Sequence, residues 1–298
     1  MYEICCIGHI TLDRVITPQS VVRMPGGTSF YFSNALRNMD LRYLLVTSLA
    51  DKEMDFVNDL RAGGINVKRL YSRDTVFFEN NYRENPDYRT QRVLRTADPF
   101  KPTDLMDVEA EIFHLGPLLA QDISVEIIKL LSGKGKVSLD VQGYLRRVEN
   151  KRVFSVDWPE KKDALPYVDI LKANELEMEA LTGSTDVKIA AGILADWGVK
   201  EIVITLGSRG SVIFNGKEFF NIPAFTPLTA IVDATGCGDT YMAGYLYRRI
   251  KGASFQKAGE FAAAMATLKI ESSGPFIGTE DEAFNLMKYS GRKALFGI

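Results

Sequence analysis

The sequence contains few of the residues that form disulfides and transition-metal sites. Its 298 residues include 3 cysteines and 2 histidines, and no C-x-x-C spacing occurs. An odd number of cysteines without framework spacing excludes a secreted disulfide scaffold and is typical of a reducing compartment. His9 and His114 are too few to supply a zinc site of the His/Cys type.

Long apolar runs, a charged leader and an excess of one charge are also missing. No apolar run approaches the ~18 residues that a membrane-spanning helix needs, and residues 1–9 lack the pattern of a secretory signal. The chain has 36 Lys plus Arg against 38 Asp plus Glu, a net charge of −2, which excludes bulk attraction to nucleic acid. We therefore predict a cytoplasmic protein with no membrane or nucleic-acid partner.

Three common motifs of nucleotide sites and hydrolases are absent as well. The chain has no G-x-x-x-x-G-K-S/T, no G-x-G-x-x-G after its first predicted strand and no G-x-S-x-G. A P-loop is therefore excluded, and a Rossmann dinucleotide site and an α/β-hydrolase site lack support.

Short runs of Val, Ile and Leu alternate with amphipathic segments along most of the chain. This alternation predicts β-α-β units and a mostly parallel sheet covered by helices on both faces, an α/β fold that we interpret as a single domain over residues 1–298. The predicted strands are Ile4–Ile7, Leu44–Ser48, Ile112–Leu115, Val137–Val141, Ile170–Ala173 and Ile202–Thr205. The predicted helices are Phe30–Asn38, Lys52–Gly63, Ser124–Ser132, Asn174–Leu181, Val187–Trp197, Thr240–Lys251, Ser254–Glu271 and Glu280–Tyr289.

Two polar stretches, residues 10–25 and about 70–98, interrupt this alternation. Their period-two pattern and their turn residues predict extra strands outside the parallel core. We predict that they form a small separate sheet over one edge of that core. Insertions of this length are commonly lids over a site; a surface hairpin without function is the alternative.

The densest group of chemistry-bearing residues is DATGCGDT, residues 233–240, which leads into an amphipathic helix. A glycine-rich turn at a helix N-terminus presents backbone N–H groups and the positive end of the helix dipole, and both bind anions. A carboxylate in such a site, Asp239, makes sense if it takes a proton from a hydroxyl during phosphoryl transfer. The alternative is that Asp239 only caps the helix, and the spacing alone leaves both open.

Residues 233–246, DATGCGDTYMAGYL, resemble the second signature of the PfkB (ribokinase-like) family of carbohydrate kinases. Four other segments resemble family landmarks in the family's order: GHITLD (Gly8–Asp13), PGGTSFYFSNALRNM (Pro25–Met39), KANELEMEALTG (Lys172–Gly183) and VITLGSRGSVIF (Val203–Phe214). The resemblance covers essentially the whole chain. It implies a ribokinase-like three-layer α/β/α fold with a small β lid, and ATP-dependent phosphorylation of a hydroxyl on a small sugar or polyol.

The resemblance also implies roles for individual residues. Asp239 would be the catalytic base, and the anion hole would be formed by the backbone of Gly236, Cys237 and Gly238. Substrate hydroxyls would be bound by Asp13, Gly26, Gly27 and Tyr31. The implied cofactors are ATP and Mg²⁺, with K⁺ as a further candidate. Phosphates and the water shell of Mg²⁺ would be served by Asn174 and Glu177, the nucleotide pocket by Thr205, Gly207 and Gly210, and the monovalent cation by Asp233 and Thr235.

Two positions depart from the family pattern, and one segment resembles a particular type of member. Tyr31 lies near the place of a sugar-binding Asn, which puts a ribose-like or fructose-like substrate in doubt. Cys237 replaces a very small residue, and its place at a helix N-terminus predicts a thiol pKa below the ~8.5 of a free cysteine. Residues 140–146, DVQGYLR, resemble the inositol-kinase type of member more than ribokinase proper.

Two alternative functions remain open on the sequence. A nucleoside kinase is one, since the aromatic lid residues Phe77, Phe78 and Tyr82 could stack on a base. A non-catalytic ligand-binding protein on the same scaffold is the other, although the intact Asp239 and glycines argue against it. The lid, with exposed apolar strands, is also the surface through which we expect a homodimer if one forms.

Overall fold

The computed structural model describes residues 1–82 and 89–296. The strands of this part are β1 (Tyr2–Ile7), β2 (Thr11–Ile16), β3 (Val21–Gly26), β4 (Tyr43–Leu49), β5 (Asn66–Tyr71), β6 (Val76–Tyr82), β7 (Arg89–Arg95), β8 (Ala110–Leu115), β9 (Lys136–Asp140), β10 (Arg146–Glu149), β11 (Arg152–Ser155), β12 (Ile170–Asn174), β13 (Glu201–Thr205), β14 (Ser211–Phe214) and β15 (Phe219–Ile222). Each of the predicted core strands overlaps one of them.

The helices of the same part also match the predicted segments, with a short additional one, α4. They are α1 (Thr28–Leu36), α2 (Met54–Ala62), α3 (Val125–Ser132), α4 (Lys161–Ala164), α5 (Glu175–Thr182), α6 (Val187–Asp196), α7 (Cys237–Ile250), α8 (Phe255–Ile270) and α9 (Glu280–Phe296). Within the described ranges, no helix combines the length and the apolar character that crossing a bilayer requires.

The main sheet has nine strands in the order β15-β14-β13-β12-β9-β8-β1-β4-β5. It is parallel from β5 to β13, and β14 and β15 add antiparallel edge strands. Both faces are buried: Ile4 and Cys6 pack in a core that includes α7 and α8, whereas Cys5 and Ile7 pack in a second core with α3 and α6. The predicted layering of helices, sheet and helices is confirmed.

Because the strands are parallel, their carboxyl ends share one edge of the sheet, where α/β proteins place their ligands. The strands β9, β12 and β13 end there with polar residues, Asp140, Asn174 and Thr205. Helix α1 packs against α7, which contains the second half of the DATGCGDT motif.

A second sheet of six strands has the order β10-β11-β7-β6-β2-β3. The two polar stretches supply β2, β3, β6 and β7, while the hairpin of β10 and β11 was not predicted. Residues 70 and 71 belong to β5 of the main sheet instead. Residues 83–88 of the predicted lid lie outside the described residues.

Candidate active site

A buried ion pair occupies the carboxyl edge of the main sheet. Asp140 and Lys172 face each other on the neighbouring strands β9 and β12, and Lys172 Nζ donates to Asp140 Oδ2 at 2.9 Å. The side chains are 1% and 7% exposed. Burial disfavours the charged lysine, but the carboxylates of Asp140 and Glu177 outweigh it and raise the Lys172 pKa above its usual value. The site therefore contains a permanent cation.

Asp239 lies next to this pair, in the first turn of α7. Burial raises the pKa of its carboxyl group to about 7, and the charge of Asp140 adds to that rise. Lys172 and a hydrogen bond from the Thr28 side chain act in the opposite direction. A carboxyl group with a pKa near neutral pH is suited to act as a general base, since it both binds and releases a proton under working conditions.

Residues 233–238, which we call the anion loop, lead into α7 and have the geometry of an anion site. The helix begins at Cys237, three residues earlier than predicted, and Gly236 occupies the cap position with a φ of +79°. Gly236 has no side chain to cap the helix, and a Cβ there would overlap the ring of Tyr31. Since Gly236 is the cap and Asp239 lies inside the helix, the interpretation of Asp239 as a simple cap is wrong.

The predicted reactive thiolate at Cys237 is also wrong. Burial raises the pKa of the thiol to about 12, and the charges of Asp233 and Asp239 add to the rise, whereas Lys269 opposes it. The thiol points to a backbone oxygen of α8, Ala266 O, at 3.8 Å. The helix dipole acts on the backbone side of the loop, while the sulfur packs inside the protein, so that desolvation prevails.

A carboxylate from the second sheet lies close to a pair of glycines. Asp13 on β2 accepts a hydrogen bond from Thr11 Oγ1 at 2.7 Å and is 9% exposed. A Cβ on Gly26 would overlap the Asp13 carboxylate, and one on Gly27, whose φ is +87°, would lie 2.7 Å from His9 O. Both glycines are therefore needed for β3 to pass this carboxylate and enter α1.

Tyr31, predicted near the substrate, connects α1 with the anion loop. It lies on α1, is 3% exposed, and its ring packs on Gly236 of the anion loop. The tyrosine ring therefore packs against the backbone that would hold the phosphoryl group. The sequence did not suggest this contact, because the two residues are far apart along the chain.

The predicted phosphate and Mg²⁺ residues form a capping box at the start of α5. Asn174 Oδ1 accepts from Glu177 N–H at 2.9 Å, and Glu177 Oε2 accepts from Asn174 N–H at 2.8 Å. The same Glu177 oxygen lies 3.6 Å from Lys172 Nζ. A carboxylate and an amide oxygen at the edge of the site are hard donors of the kind that Mg²⁺ accepts together with substrate phosphates.

The residues predicted to shape the nucleotide pocket lie on the turn between β13 and β14. Thr205 ends β13, Gly207 has a φ of +59° and Gly210 a φ of +89°. A Cβ on Gly210 would overlap Ile222 O at the end of β15. The turn is tied to α5 by an ion pair of Arg209 with Glu175.

The predicted monovalent-cation site does not fit a bound cation. Lys269 Nζ donates to Asp233 O at 2.7 Å and lies 3.2 Å from Asp233 Oδ2. The other carboxylate oxygen accepts from Thr235 N–H at 2.8 Å. An ammonium group therefore already lies where Asp233 and Thr235 were expected to hold K⁺.

Sequence reasoning missed a chain of hydrogen bonds that reaches Asp239. Arg146 Nη2 donates to Gln142 Oε1 at 2.9 Å, and Gln142 Nε2 donates to Thr28 Oγ1 at 2.7 Å. Thr28 is the hydrogen-bonding neighbour of Asp239. Sequence reasoning also missed the pair of Asp140 with Lys172. Its signal was two charged residues within predicted buried strands.

The two histidines are packing residues. His9 is buried and stacks on Phe100, and His114 is buried and stacks on Phe32. Burial lowers the pKa of His114 to about 4. Among residues 1–82 and 89–296, no group of three or more His, Cys, Asp or Glu side chains could hold a metal ion.

The chain is similar to known carbohydrate and nucleoside kinases. The model of the pfkB family carbohydrate kinases matches residues 94–282. A cytidine kinase of Thermococcus kodakarensis is 27% identical over 83% of this chain and 88% of that protein. An ATP-dependent 6-phosphofructokinase of Thermoanaerobacterium thermosaccharolyticum is 30% identical over 94% of this chain and 91% of that protein.

Among solved structures, a pyrophosphate-dependent kinase of the ribokinase family, complexed with a pyrophosphate analog and myo-inositol, is similar over the whole chain. The TM-score is 0.84 with 29% identity, and the match covers 95% of this chain and 100% of that one. The fold is thus ribokinase-like, and the enzyme class is a phosphotransferase that acts on an alcohol group of a sugar or nucleoside. The chain belongs to the pfkB family of carbohydrate kinases.

Proposed function

We propose that this kinase transfers the γ-phosphoryl group of ATP to a hydroxyl of a small polyol or sugar, with Asp239 as the catalytic base. The observation that carries the proposal is the place of Asp239 at the start of α7, with its carboxyl pKa raised to about 7 by burial and by Asp140. The carboxylate takes the proton of the attacking hydroxyl as the phosphoryl group is transferred and ADP leaves. The backbone N–H groups of Gly236 and Gly238 stabilise the charge on the phosphoryl oxygens, whereas the Cys237 N–H, predicted to share this role, donates to Ala234 O at 3.2 Å.

Lys172 adds a side-chain cation to this arrangement. A Cβ on Gly238 would lie only 3.3 Å from Lys172 Nζ, so the ammonium group borders the anion loop. Mg²⁺, when bound, would neutralise negative charge on the phosphates of the donor. Asn174 and Glu177 are the residues that would hold its water shell.

A compact acceptor fits the second sheet better than a nucleoside does. Phe77 and Phe78, which could have stacked on a base, are 9% and 4% exposed. Phe78 packs in the small core below the sheet, and Phe77 lies under the Arg95 guanidinium. The side chain of Tyr82 lies outside the described residues. Asp13, by contrast, offers a carboxylate that can accept hydrogen bonds from adjacent hydroxyls of a ring.

We interpret the chain as one kinase domain whose second sheet is a lid. The sheet contains Asp13 and continues through Gly26 into the segment that precedes α1, so that its position controls the acceptor side of the site. Closing it would exclude water, which otherwise competes with the acceptor hydroxyl.

Pyrophosphate is a second candidate donor. The similarity to the pyrophosphate-dependent kinase covers 95% of this chain, and pyrophosphate has no base that a pocket must hold. The base of ATP could enter a cavity of about 770 Å³ that is lined by Phe225, Leu228 and Met287 among others, although Thr205, Gly207 and Gly210 do not line it. A pocket of that size, between ~300 and 1,000 Å³, and with apolar walls can hold a base.

The decisive experiment measures turnover for every pairing of two donors with a panel of acceptors. The donors are Mg-ATP and Mg-pyrophosphate, and the acceptors are inositols, sugars, sugar phosphates and nucleosides. We expect turnover with ATP and a polyol or sugar, detected as ADP and phosphorylated acceptor. Turnover with nucleosides only would contradict the acceptor class, and tight ATP binding without any turnover would favour the non-catalytic alternative.

Replacing Asp13 tests the acceptor side of the site. Hydrogen bonds to a charged group contribute about 1.5–3 kcal/mol, so Asp13→Ala is expected to raise the acceptor KM at least about tenfold. The KM of the donor should change little. The control is Asp55→Ala, which removes an exposed carboxylate of α2. An unchanged acceptor KM would remove Asp13 from the site.

A further inference from the structure

One lysine is completely buried behind the loop that precedes α7. Lys269 lies in the last turn of α8, and its side chain is 0% exposed. Both partners of its ammonium group belong to Asp233, the backbone oxygen at 2.7 Å and carboxylate Oδ2 at 3.2 Å. The lysine therefore fastens the first residue of the anion loop to α8.

Other contacts tie the same loop to the same end of α8. Ile270 O accepts a hydrogen bond from Val232 N–H at 2.8 Å, and Ala266 O is the neighbour of the Cys237 sulfur at 3.8 Å. Within the loop, Asp233 Oδ1 accepts a hydrogen bond from Thr235 N–H. The anion loop is thus fixed to α8 at its start and at its end, with Lys269 as the charged contact.

Stability alone does not explain a charge in this position. Removing the ammonium group from water costs several kcal/mol, which its attraction to the partly exposed Asp233 carboxylate offsets only in part, so this ion pair is weak evidence of stabilisation. A positive charge behind a loop that would bind an anion has a different use. It raises the electrostatic potential where negative charge collects during phosphoryl transfer.

We propose that Lys269 is a built-in cation of the anion loop, which positions residues 233–238 and supplies the charge that a bound K⁺ would supply. The inference rests on the proposed function, because it assigns Lys269 to the donor side of that site. Lys269 is a positioning residue and does not touch the substrate. A second cation beside Asp233 would have to share its oxygens with the ammonium group, so the kinase does not need K⁺.

The test compares cations and variants at constant ionic strength. We expect wild-type kcat and donor KM to differ by less than about twofold between tetramethylammonium chloride and KCl. At constant ionic strength the two salts screen charges equally, and the wild-type enzyme needs no bound K⁺. Lys269→Ala is expected to lower kcat about tenfold or more and to raise the donor KM by a similar factor, as for the loss of one preorganised charge. KCl or ammonium chloride should restore part of that loss, since the variant leaves room for a small cation beside Asp233.

Controls separate this role from a merely structural one. Lys200→Ala removes an exposed lysine that also pairs with an aspartate, Asp169, at 2.7 Å, and should respond to neither salt. If Lys269→Ala fails to fold, Lys269→Met fills the same space without charge and should show the same loss without rescue. A wild-type enzyme that requires K⁺, or a folded Lys269→Ala variant with unchanged kinetics, would overturn the proposal.

The two proposals fail in different ways. If no acceptor is phosphorylated, the proposed function fails, and donor affinity is then measured by calorimetry with pyrophosphate and with ATP. Equal wild-type affinities in the two salts, together with weakened binding in Lys269→Ala that KCl restores, would still support the built-in cation. Donor affinities that rise only with KCl in the wild-type protein would contradict it.

Discussion

Asp239→Asn is expected to lower kcat by about 10²–10⁴, the range for loss of a general base. The asparagine keeps the shape of the side chain and its place in the first turn of α7, so donor affinity should change little. The wild-type rate should rise with pH through about 7, as Asp239 loses its proton. The variant should lack that dependence, and kcat from initial rates between about pH 5 and 9 measures both effects.

The same substitution should stabilise the fold at alkaline pH. Because the pKa of Asp239 is raised from 3.8 to about 7, the folded protein binds a proton more tightly than the unfolded chain does. Stability is therefore lost as pH rises from about 4 to about 7 and stays low above it. Asp239→Asn removes this penalty, so its Tm should exceed that of wild type more at pH 8 than at pH 5.

Asp55→Asn, compared with wild type, is the control for both measurements, since Asp55 lies on the surface of α2. A drop in kcat that comes with a lower Tm at alkaline pH would point to damaged folding instead of lost base catalysis. An Asp239→Asn enzyme with nearly full kcat would contradict the mechanism.

The main sheet could be predicted because each of its central strands is buried on both faces. Runs such as Ile4–Ile7 and Ile202–Thr205 have no polar residue until they end, which a surface strand would not tolerate. The hairpin of β10 and β11 escaped prediction for the opposite reason. Its strand residues are half-buried or exposed and half of them are charged, and its turn at Asn150 and Lys151 has positive φ values without a glycine.

The candidate site was predictable where one segment carries the geometry, and less so where distant segments meet. The glycines at 236 and 238 and the carboxylate of Asp239 lie within four residues, so local spacing revealed them. The environment that sets their chemistry comes from elsewhere in the chain. Burial of the Cys237 sulfur against α8 reversed the predicted direction of its pKa, and no local pattern could have shown it.

The clearest residue that the sequence undervalued is Lys172, the first residue of a motif that was selected for Asn174 and Glu177. An isolated lysine in an apolar run such as Ile170–Ala173 is costly unless it is paired, and its partner Asp140 lies 32 residues earlier. Only the register of β9 with β12 places the two side chains together. The pairing then gives the site both its cation and the negative charge that raises the Asp239 pKa.

Lys172→Met is expected to lower kcat by about 10²–10³, the loss for one preorganised donor at a site of developing charge. The apolar side chain fills similar space but leaves Asp140 buried without its cation. Since Lys172 lowers the pKa of Asp239, its removal should also move the rise of the pH–rate profile to higher pH. Asp140→Asn should move the same rise to lower pH, because it removes the charge that raises the Asp239 pKa.

The double variant Asp140→Asn/Lys172→Met separates catalysis from folding. Breaking a buried pair by removing one partner costs about 3–5 kcal/mol, whereas replacing both charges is often neutral. The double variant should therefore regain much of the Tm that Lys172→Met loses, while its kcat stays low, because no cation remains beside Gly238. Lys200→Met, which breaks an exposed pair with Asp169, is the matched control and should leave both readouts near wild type. Recovery of kcat together with Tm in the double variant would show that Lys172 only holds the strands together and takes no part in phosphoryl transfer.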